Sequence, residues 1–328
     1  MSRQPTLADV ARVAGVSPTT VSRVINNRGY LSAETRDAVR DAMDELGYLP
    51  NAAARQLKLQ RRDVIGVVVP TLRNPFYAEF VSRLDAAAAR TGTRLIIAEN
   101  EPGDPREAGY LDLLRAGQVD GLITGAHSDV VVTLADDRSL PVVTLDRTNP
   151  AEVINICCDN TAGAYEMTRL LIERARGPVL YLTSTADPAN RRQQGYEQAL
   201  EETGAVPRVL EVGFEAPREV QRQRIADFLS GVEGDRPGVF CSNDVYAAFV
   251  LGWAAEEGRR VPDDLLVAGF DGTELMTAVL PQLATVRQPL AEMAEAALQV
   301  VIALRDGETP PAFSPFPVTL LDAPSAGA

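Results

Sequence analysis

Residues 6–26 read TLADVARVAGVSPTTVSRVIN, and their pattern decides how the chain begins. Thr6 followed by Asp9 three residues later is a variant of the capping box that starts a helix. Gly15 ends this helix, and Ser17 followed by Pro18 starts a second one within a few residues. The apolar stripe of the first helix consists of Leu7, Val10, Ala11 and Ala14. Two short helices joined this tightly predict a helix-turn-helix motif.

The second helix is predicted to have an apolar and a polar side. Its apolar residues are Val21, Val24 and Ile25, and its outward residues are Pro18, Thr19, Ser22, Arg23 and Asn26. In helix-turn-helix proteins this outward surface contacts base edges and phosphates in the DNA major groove. Ser32 caps a third helix that runs to about Leu46 and stops at Gly47. Its inward residues are Val39, Met43 and Leu46. A three-helix bundle without a role in DNA binding is the alternative.

The charge of the chain is distributed unevenly. Residues 1–62 carry ten Lys or Arg and six Asp or Glu side chains, a net charge of +4, whereas the whole chain has −13. The remaining residues therefore carry −17. Because only the basic part gains from counterion release on DNA, the distribution predicts a DNA-binding head on an acidic body.

The composition argues against several other classes of protein. A length of 328 residues suits a small head and a two-lobed body. No apolar run reaches the roughly 18 residues that span a bilayer, and the polar start MSRQPT is unlike a signal peptide, so we expect a cytoplasmic protein. Cys157, Cys158 and Cys241 are predicted to be reduced and at least partly buried. His127 is the only histidine, which argues against zinc sites and Ser/His catalysis, and we expect no metal and no cofactor.

The rest of the chain alternates short apolar runs with amphipathic stretches. The predicted strands cover residues 64–70, 94–99, 121–125, 142–146, 179–183, 238–243 and 265–271. Helical stretches such as Phe76 to Thr91 and Thr161 to Ala175 lie between them. This order is typical of parallel sheets with crossover helices. The predicted fold class is therefore α/β, with two doubly wound lobes and a crossover near Asp159 to Gly163.

Polar and aromatic side chains follow the predicted strands, where ligands bind in this architecture. They are Asn74, Phe76, Tyr77, Asp146, Arg147, Asn243, Asp244, Phe270 and Asp271, to which Arg192 and Phe214 are added. Aromatic faces can stack on a sugar ring, and carboxylates, amides and a guanidinium can hydrogen-bond its hydroxyls. Taken singly, each residue also suits a helix cap or a core position.

Signatures of enzyme chemistry are missing from the sequence. It contains no GxxxxGK[ST] phosphate loop, no GxGxxG after a strand, no CxxC and no HExxH. The only lysine, Lys58, lies outside the body, which excludes a Schiff-base lysine in the cleft. Asp146 and Asp271 could in principle serve as the acid and base of a glycosidase, but nothing beyond the two carboxylates supports this, and we expect no enzyme activity.

The chain resembles the lactose-repressor family of bacterial transcriptional regulators over nearly its whole length. The motifs that carry the resemblance are TLADVARVAGVSPTTVSRVIN, SAETRDAVRDAMDELGYLPNAAARQLK, IGVVVPTLRNPFYAEFV, VDGLI, RRQQGY, FCSND and TVRQP. It implies a helix-turn-helix DNA-binding domain at 1–49, a hinge helix and linker at 50–62, and an effector-binding and dimerisation domain at 63–328. That last domain is expected to be periplasmic-binding-protein-like, with one lobe at about 63–160 and 292–320 and the other at about 161–290.

The family's hinge helix falls on PNAAARQLK, residues 50–58. In relatives it forms only on the operator, where a leucine at the position of Leu57 wedges into the minor groove with Ala54 against it. So short a segment is not stable alone, so folding coupled to DNA binding is expected, with an ordinary linker as the alternative. Pro18 and Thr19 depart from well-known relatives, which leaves Arg23 as the preferred candidate for a guanine contact. The predicted DNA contacts are Thr6, Ser17, Pro18, Thr19, Thr20, Ser22, Arg23, Asn26, Tyr30, Asn51, Ala54, Arg55, Leu57 and Lys58.

The family's effector contacts fall on the strand-end residues. The predicted set is Asn74, Phe76, Tyr77, Asp146, Arg192, Phe214, Asn243 and Asp271. Two acids and one arginine suit a neutral polyol, so a sugar is the predicted effector, with a nucleoside or purine as the alternative. The chain lacks the heptad tail of tetrameric relatives, so a homodimer on near-palindromic operator DNA is expected.

The predicted function is that of a sequence-specific repressor of carbohydrate uptake or catabolism genes, whose operator affinity a small effector changes allosterically. Induction and corepression are both compatible with the sequence, as is activation in place of repression. A two-lobed solute-binding protein is the rival interpretation, against which the basic head and the missing export signal argue.

Overall fold

The computed structural model describes residues 5–25, 31–48, 62–100, 107–125, 140–146, 153–213, 216–232 and 234–328. The chain divides into two compact units, residues 1–62 and residues 63–328. Each unit has its own hydrophobic core.

The described part of the smaller unit contains helices α1 (Leu7–Val13), α2 (Pro18–Ile25) and α3 (Ala33–Leu46). The predicted capping box is present, since Thr6 N donates to Asp9 Oδ2 at 2.9 Å and Asp9 N donates to Thr6 Oγ1 at 3.3 Å. Ser17 Oγ accepts a hydrogen bond from the amide of Thr20 at 3.1 Å. The core consists of Val10, Ala11, Val21, Val39 and Ala42, with Leu7, Ala14, Val24, Ile25, Met43 and Leu46 packed against it. The predicted helices, caps and inward faces are confirmed.

The first lobe of the larger unit is built on a parallel sheet. Its strands are β1 (Val64–Val69), β2 (Arg94–Glu99), β3 (Gly121–Thr124), β4 (Val142–Leu145) and β5 (Asn155–Ile156), in the order β2-β1-β3-β4-β5. Helices α4 (Pro75–Thr91) and α5 (Glu107–Arg115) connect the first three strands. Strands β1, β3 and β4 are buried along their whole length, which explains why their sequences are continuous apolar runs.

The second lobe has a larger sheet with one antiparallel edge strand. Its strands are β6 (Val179–Thr183), β7 (Val209–Glu211), β8 (Gly238–Cys241), β9 (Leu266–Asp271), β10 (Ala284–Arg287) and β11 (Thr319–Leu321), in the order β11-β10-β9-β8-β6-β7. The pairing of β10 with β11 is antiparallel and the other pairings are parallel. The helices of this part are α6 (Asn160–Arg174), α7 (Arg191–Glu201), α8 (Arg218–Ser230), α9 (Asp244–Glu256) and α10 (Glu274–Val279).

The chain passes between the lobes more than once. The predicted crossover at residues 159–163 falls on the N-cap and first turn of α6, shortly after β5. Helix α11 (Leu290–Asp306) returns to the first lobe, where it packs against α4, β3 and β4. The predicted first-lobe segment 292–320 extends too far, because Thr319–Leu321 pairs with β10 and so belongs to the sheet of the second lobe. An edge strand gains its backbone hydrogen bonds from its neighbour, and here that neighbour is in the second lobe.

Two further predictions from the sequence concern the cysteines and the helices. Cys157, Cys158 and Cys241 are free and buried, as predicted. In the described ranges, no helix combines the length and the apolarity that a membrane crossing requires.

Candidate functional site

A cavity of about 330 Å³ opens between the two lobes at the carboxyl ends of their strands. Both lobes contribute, since Asp146 follows β4, Thr183 ends β6, Ser242 follows β8 and Asp271 ends β9. Small-molecule sites typically occupy roughly 300–1,000 Å³, so the cavity suits a small ligand. The position is the one that doubly wound sheets use for ligands.

Asparagine caps three of the helices that begin at the cavity. Asn74 Oδ1 accepts from Phe76 N at 3.0 Å at the start of α4, and Asn243 Oδ1 accepts from Tyr246 N at 2.9 Å at the start of α9. Asn190 Oδ1 accepts from the first amides of α7 at 3.1 and 3.2 Å. Each cap uses one amide oxygen, so the side chains that line the cavity are also fixed by the local fold.

Arg192 is the centre of the polar network in the cavity. Its Nη2 donates to Asp146 Oδ2 at 2.9 Å, which joins the second lobe to the first. Its Nη1 donates to Asp271 Oδ1 at 3.2 Å and to the carbonyl oxygen of Ser242. Its Nε donates to Asn160 Oδ1 at 2.6 Å, and Asn160 Nδ2 in turn donates to Asp146 Oδ1 at 2.6 Å. One guanidinium therefore links both carboxylates.

The two carboxylates beside the buried Arg192 keep it charged. Its guanidinium carbon lies 3.8 Å from the centroid of the fully buried Phe270 ring, a cation–π contact. Although burial alone lowers the pKa of Arg192, the Asp271 and Asp146 carboxylates outweigh it and raise that pKa. Because a charge in this position would be costly without partners, the two acids are as necessary to the fold as to any ligand.

Asp271 keeps one oxygen available. Its Oδ1 accepts from Arg192 and, at 2.9 Å, from Gln288 Nε2. Its Oδ2 accepts no hydrogen bond from the part of the chain that the structure describes, and Asp271 lines the cavity. Burial raises the pKa of Asp271 above its ordinary value, and Arg192 opposes that rise. Because both of these hydrogen bonds go to Oδ1, Oδ2 is the oxygen that can accept a hydrogen bond from a ligand hydroxyl.

Both carboxylate-bearing residues have unusual backbone conformations. Asp146 has φ 48° and Asp271 has φ 102°, in the region that favours glycine. Such conformations cost on the order of 1–3 kcal/mol each and are concentrated at ligand sites. The strain supports a functional role for the two strand ends.

Seven of the eight predicted effector residues border the cavity, namely Asn74, Phe76, Tyr77, Asp146, Arg192, Asn243 and Asp271. The eighth, Phe214, lies outside the described residues, as does Arg147. Phe76 is only 4% exposed and belongs to the core, with the Tyr77 ring edge-on at 5.0 Å, so Tyr77 presents more of its surface. Their role in binding stays a prediction.

Several polar residues of the site were not predicted from the sequence. They include Asn160, Thr183, Asp187, Asn190 and Ser242, which border the cavity, and Gln288, which contacts Asp271. Asn160 lies inside the predicted crossover, and a polar side chain where a chain changes lobes is a usable signal. Asn190 directly precedes RRQQGY and could have been found as the cap of that helix.

The two cavity carboxylates Asp146 and Asp271 are not arranged as a catalytic pair. Asp146 and Asp271 both bind the same guanidinium, so neither has the independent environment that a general acid or base needs. Among the described residues no cluster of His, Cys, Asp and Glu is suited to hold a metal ion.

In the smaller unit, the structure describes only some of the predicted DNA contacts. Ser17, Pro18, Thr19 and Arg23 are exposed, whereas Thr6, Thr20 and Ser22 are partly buried. The surface formed by the start of α2 and Arg23 is polar and carries a cation. Asn26, Tyr30, Asn51, Ala54, Arg55, Leu57 and Lys58 lie outside the described residues.

Comparison with protein families gives two matches. Residues 6–51 match the model of bacterial regulatory proteins of the lacI family, and residues 167–321 match a periplasmic binding protein-like domain. The first match covers the helix-turn-helix, and the second covers most of the second lobe together with α11.

Individual relatives match almost the full chain. The sucrose operon repressor of Pediococcus pentosaceus is 37% identical over 88% of this chain and 89% of its own. Among solved structures, the lac repressor dimer bound to operator and the anti-inducer ONPF has a TM-score of 0.84 and 27% identity, covering 99% of this chain and 100% of that chain. The complex of the transcriptional regulator CelR with cellobiose has a TM-score of 0.66 and 28% identity, covering 98% of this chain and 99% of that chain. The proteins matched are regulators and repressors, which agrees with the expectation that the chain is not an enzyme.

Proposed function

Because the chain belongs to the lacI family of bacterial regulatory proteins, we propose that it is a homodimeric transcriptional repressor of carbohydrate genes. Its head binds a near-palindromic operator, and a sugar in the cavity of the larger unit changes the affinity for that operator. The protein binds both DNA and the sugar in the cytoplasm. The observation that carries the proposal is the cavity network of Asp146, Arg192 and Asp271 in a chain that begins with a helix-turn-helix.

The charged residues that border the cavity, Asp146, Asp187, Asp271, Arg191 and Arg192, nearly balance and so favour a neutral effector. Four of the five N–H groups of Arg192 are engaged by Asn160, Ser242, Asp271 and Asp146, which leaves one Nη2 hydrogen without an acceptor in the described chain. A phosphorylated sugar would have to compete with two carboxylates for this guanidinium. The hydroxyl of a neutral sugar instead donates to Asp271 Oδ2 and accepts from Arg192 Nη2, and both interactions are compatible with the network.

A nucleoside is the second candidate for the effector. Phe76 and Tyr77 border the cavity and supply aromatic surface that could face a base. The remaining lining is dominated by hydroxyl, amide and carboxylate groups, which match the many hydroxyls of a sugar better than they match one flat base. The names of the relatives favour the sugar as well, since one is a sucrose operon repressor and another was solved with cellobiose.

At the DNA end, we propose that Arg23 contacts a base edge or phosphate and that residues 50–58 form the hinge helix, with Leu57 as the wedge. Arg23 is exposed near the end of α2, and among the described residues it has no ion-pair partner. The similarity to a lac repressor dimer bound to operator supports DNA binding by this family of proteins.

Two variants with opposite expected effects test the proposal. Calorimetry with sucrose, ribose, cellobiose and adenosine identifies the effector, and footprinting on genomic fragments identifies the operator. Arg23→Ala should weaken operator binding and leave sugar affinity unchanged, whereas Asp271→Ala should abolish the response to sugar and leave operator binding intact. Binding of adenosine alone would contradict the sugar assignment, and the absence of any protected palindrome would contradict the repressor assignment.

A further inference from the structure

The turn after β9 holds Asp271 in a conformation that needs support. Asp271 has φ 102° and the next residue, Gly272, has φ 58°. A side chain at Gly272 would not fit, because its Cβ would lie 2.6 Å from the Cα of Arg287. Glycine adopts a positive φ readily, whereas Asp271 is strained by it, and such strain persists only where neighbouring groups impose it.

The group that binds this turn is the carboxylate of Asp244, at the start of α9. Asp244 Oδ2 accepts from the amide of Gly272 at 2.8 Å, and Asp244 Oδ1 accepts from Thr285 Oγ1 at 2.6 Å. The side chain reaches this position because residue 269 is glycine, since a Cβ there would lie 2.3 Å from Asp244 Oδ1. Asp244 is only 2% exposed and does not border the cavity.

The contacts of Asp244 differ from those of an ordinary acid in the first turn of a helix. Asn243, not Asp244, caps α9. Both oxygens of Asp244 instead bind groups of other elements, namely the turn after β9 and strand β10. Burial raises the pKa of Asp244, while its hydrogen bonds from Thr285 and Gly272 and the nearby Arg192 oppose the rise. The hydrogen bonds from Gly272 and Thr285 thus hold the Asp244 carboxylate in place, and the carboxylate in turn fixes those two groups.

We propose that Asp244 is a positioning residue of the effector site: by anchoring the Gly272 amide it fixes Asp271 so that Oδ2 accepts a hydroxyl of the effector. The proposal rests on the proposed function for the identity of the ligand. The hydrogen bond between Asp244 and the Gly272 amide does not depend on which ligand binds, because it lies within the turn after β9.

The test measures two quantities on the full chain: hydrogen exchange at the Gly272 amide, and the dissociation constants for sucrose, ribose and cellobiose. Asp244→Ala should speed exchange at Gly272 and weaken sugar binding, each by at least about tenfold, as expected for the loss of a hydrogen bond to a charged group. Asp244→Asn should restore part of both effects, because its amide oxygen can accept one of the two hydrogen bonds.

A matched control is Ser325→Ala. Ser325 Oγ is equally buried and links β9 to β10 away from the turn, since it accepts from Ala284 N at 2.8 Å and donates to Val267 O at 2.6 Å. Its loss should lower stability without changing Gly272 exchange or sugar affinity. A protected Gly272 amide in Asp244→Ala, or a freed amide with unchanged sugar binding, would overturn the proposal. If the wild type binds none of the sugars, the proposed function fails, and exchange at Gly272 alone decides for or against the anchor.

Discussion

At the scale of single residues, Arg192 has two roles, one in the ligand site and one in the stability of the fold. It lies where a ligand would bind, and it also neutralises two carboxylates that are largely buried. Breaking a buried ion pair by removing one partner is far more damaging than the pair is stabilising, because a charge is left without compensation. Loss of ligand response in an Arg192 variant is therefore not proof of a binding role by itself.

Arg192→Ala should lower the free energy of unfolding by about 3–5 kcal/mol, the usual loss when one partner of a buried pair is removed. Urea unfolding followed by circular dichroism measures this. The matched control is Arg90→Ala, which removes an exposed ion pair with Glu295 and should cost less than about 1 kcal/mol. Equal stability of the two variants would mean that the Arg192 network does not hold the lobes.

Asp271 gives the stability a defined dependence on pH. Its pKa is raised in the folded protein by burial, with Arg192 opposing and Asp244 and Asp146 adding to the rise. The folded state therefore holds the proton more tightly than the unfolded state, whose aspartate has a pKa of about 3.9. The stabilisation is complete below that value and is lost as the pH rises through the folded pKa.

Asp271→Asn removes this titration. The stability of the wild type relative to Asp271→Asn should fall as the pH is raised above about 4, the ordinary pKa of aspartate. Unfolding experiments at a series of pH values measure the difference. A difference that rises with pH would show that Arg192 outweighs burial and that the pKa is lowered.

At the scale of elements, the apolar runs determined which strands could be predicted. All seven predicted strands are present, because strands such as β1 and β8 are buried on both faces and so consist of apolar residues. The missed strands β5, β7 and β11 have two or three residues, too few for a pattern, whereas the four-residue β10 reads ATVR and has polar residues at two of its four positions. Asn160 and Gln288 were missed for a different reason, since they join the site only through long-range packing of the crossover segments.

Helices α6 and α7 meet at a glycine that the site depends on. A Cβ at Gly195 would lie 2.3 Å from the carbonyl oxygen of Thr161 and 2.8 Å from the amide of Tyr165, so only glycine permits this approach. The same two helices carry Asn160 and Arg192 near their first residues. The distance between the helices thus sets the distance between the two side chains.

Gly195→Ala should push α7 away from α6, cost about 1–3 kcal/mol through overpacking, and weaken sugar binding by displacing Arg192. Gly252→Ala is the matched control in helix α9, where a Cβ meets nothing within 4 Å. It should raise stability by about 0.5–1 kcal/mol, since alanine favours the helix. Chemical unfolding and calorimetry give both quantities; unchanged sugar affinity in Gly195→Ala would contradict the role of helix spacing.

At the scale of the whole molecule, a basic head binds DNA and an acidic body binds the effector. Residues 1–62 carry +4 and the rest carries −17, so electrostatic attraction to DNA is confined to the head. The net negative charge of the body does not favour contact with DNA, and in our account the body acts on operator affinity through the occupancy of its cavity. Coupling between two such sites is typically about 1–3 kcal/mol.

The most direct measurement is the operator affinity of the full-length protein, determined by fluorescence anisotropy at fixed salt with increasing concentrations of each sugar that binds. We expect one sugar to change the affinity by roughly 5- to 150-fold, and Asp271→Ala to remove that change while binding the same DNA. An operator affinity that is identical in the absence of sugar and at saturation, in a protein shown by calorimetry to be occupied, would contradict the account.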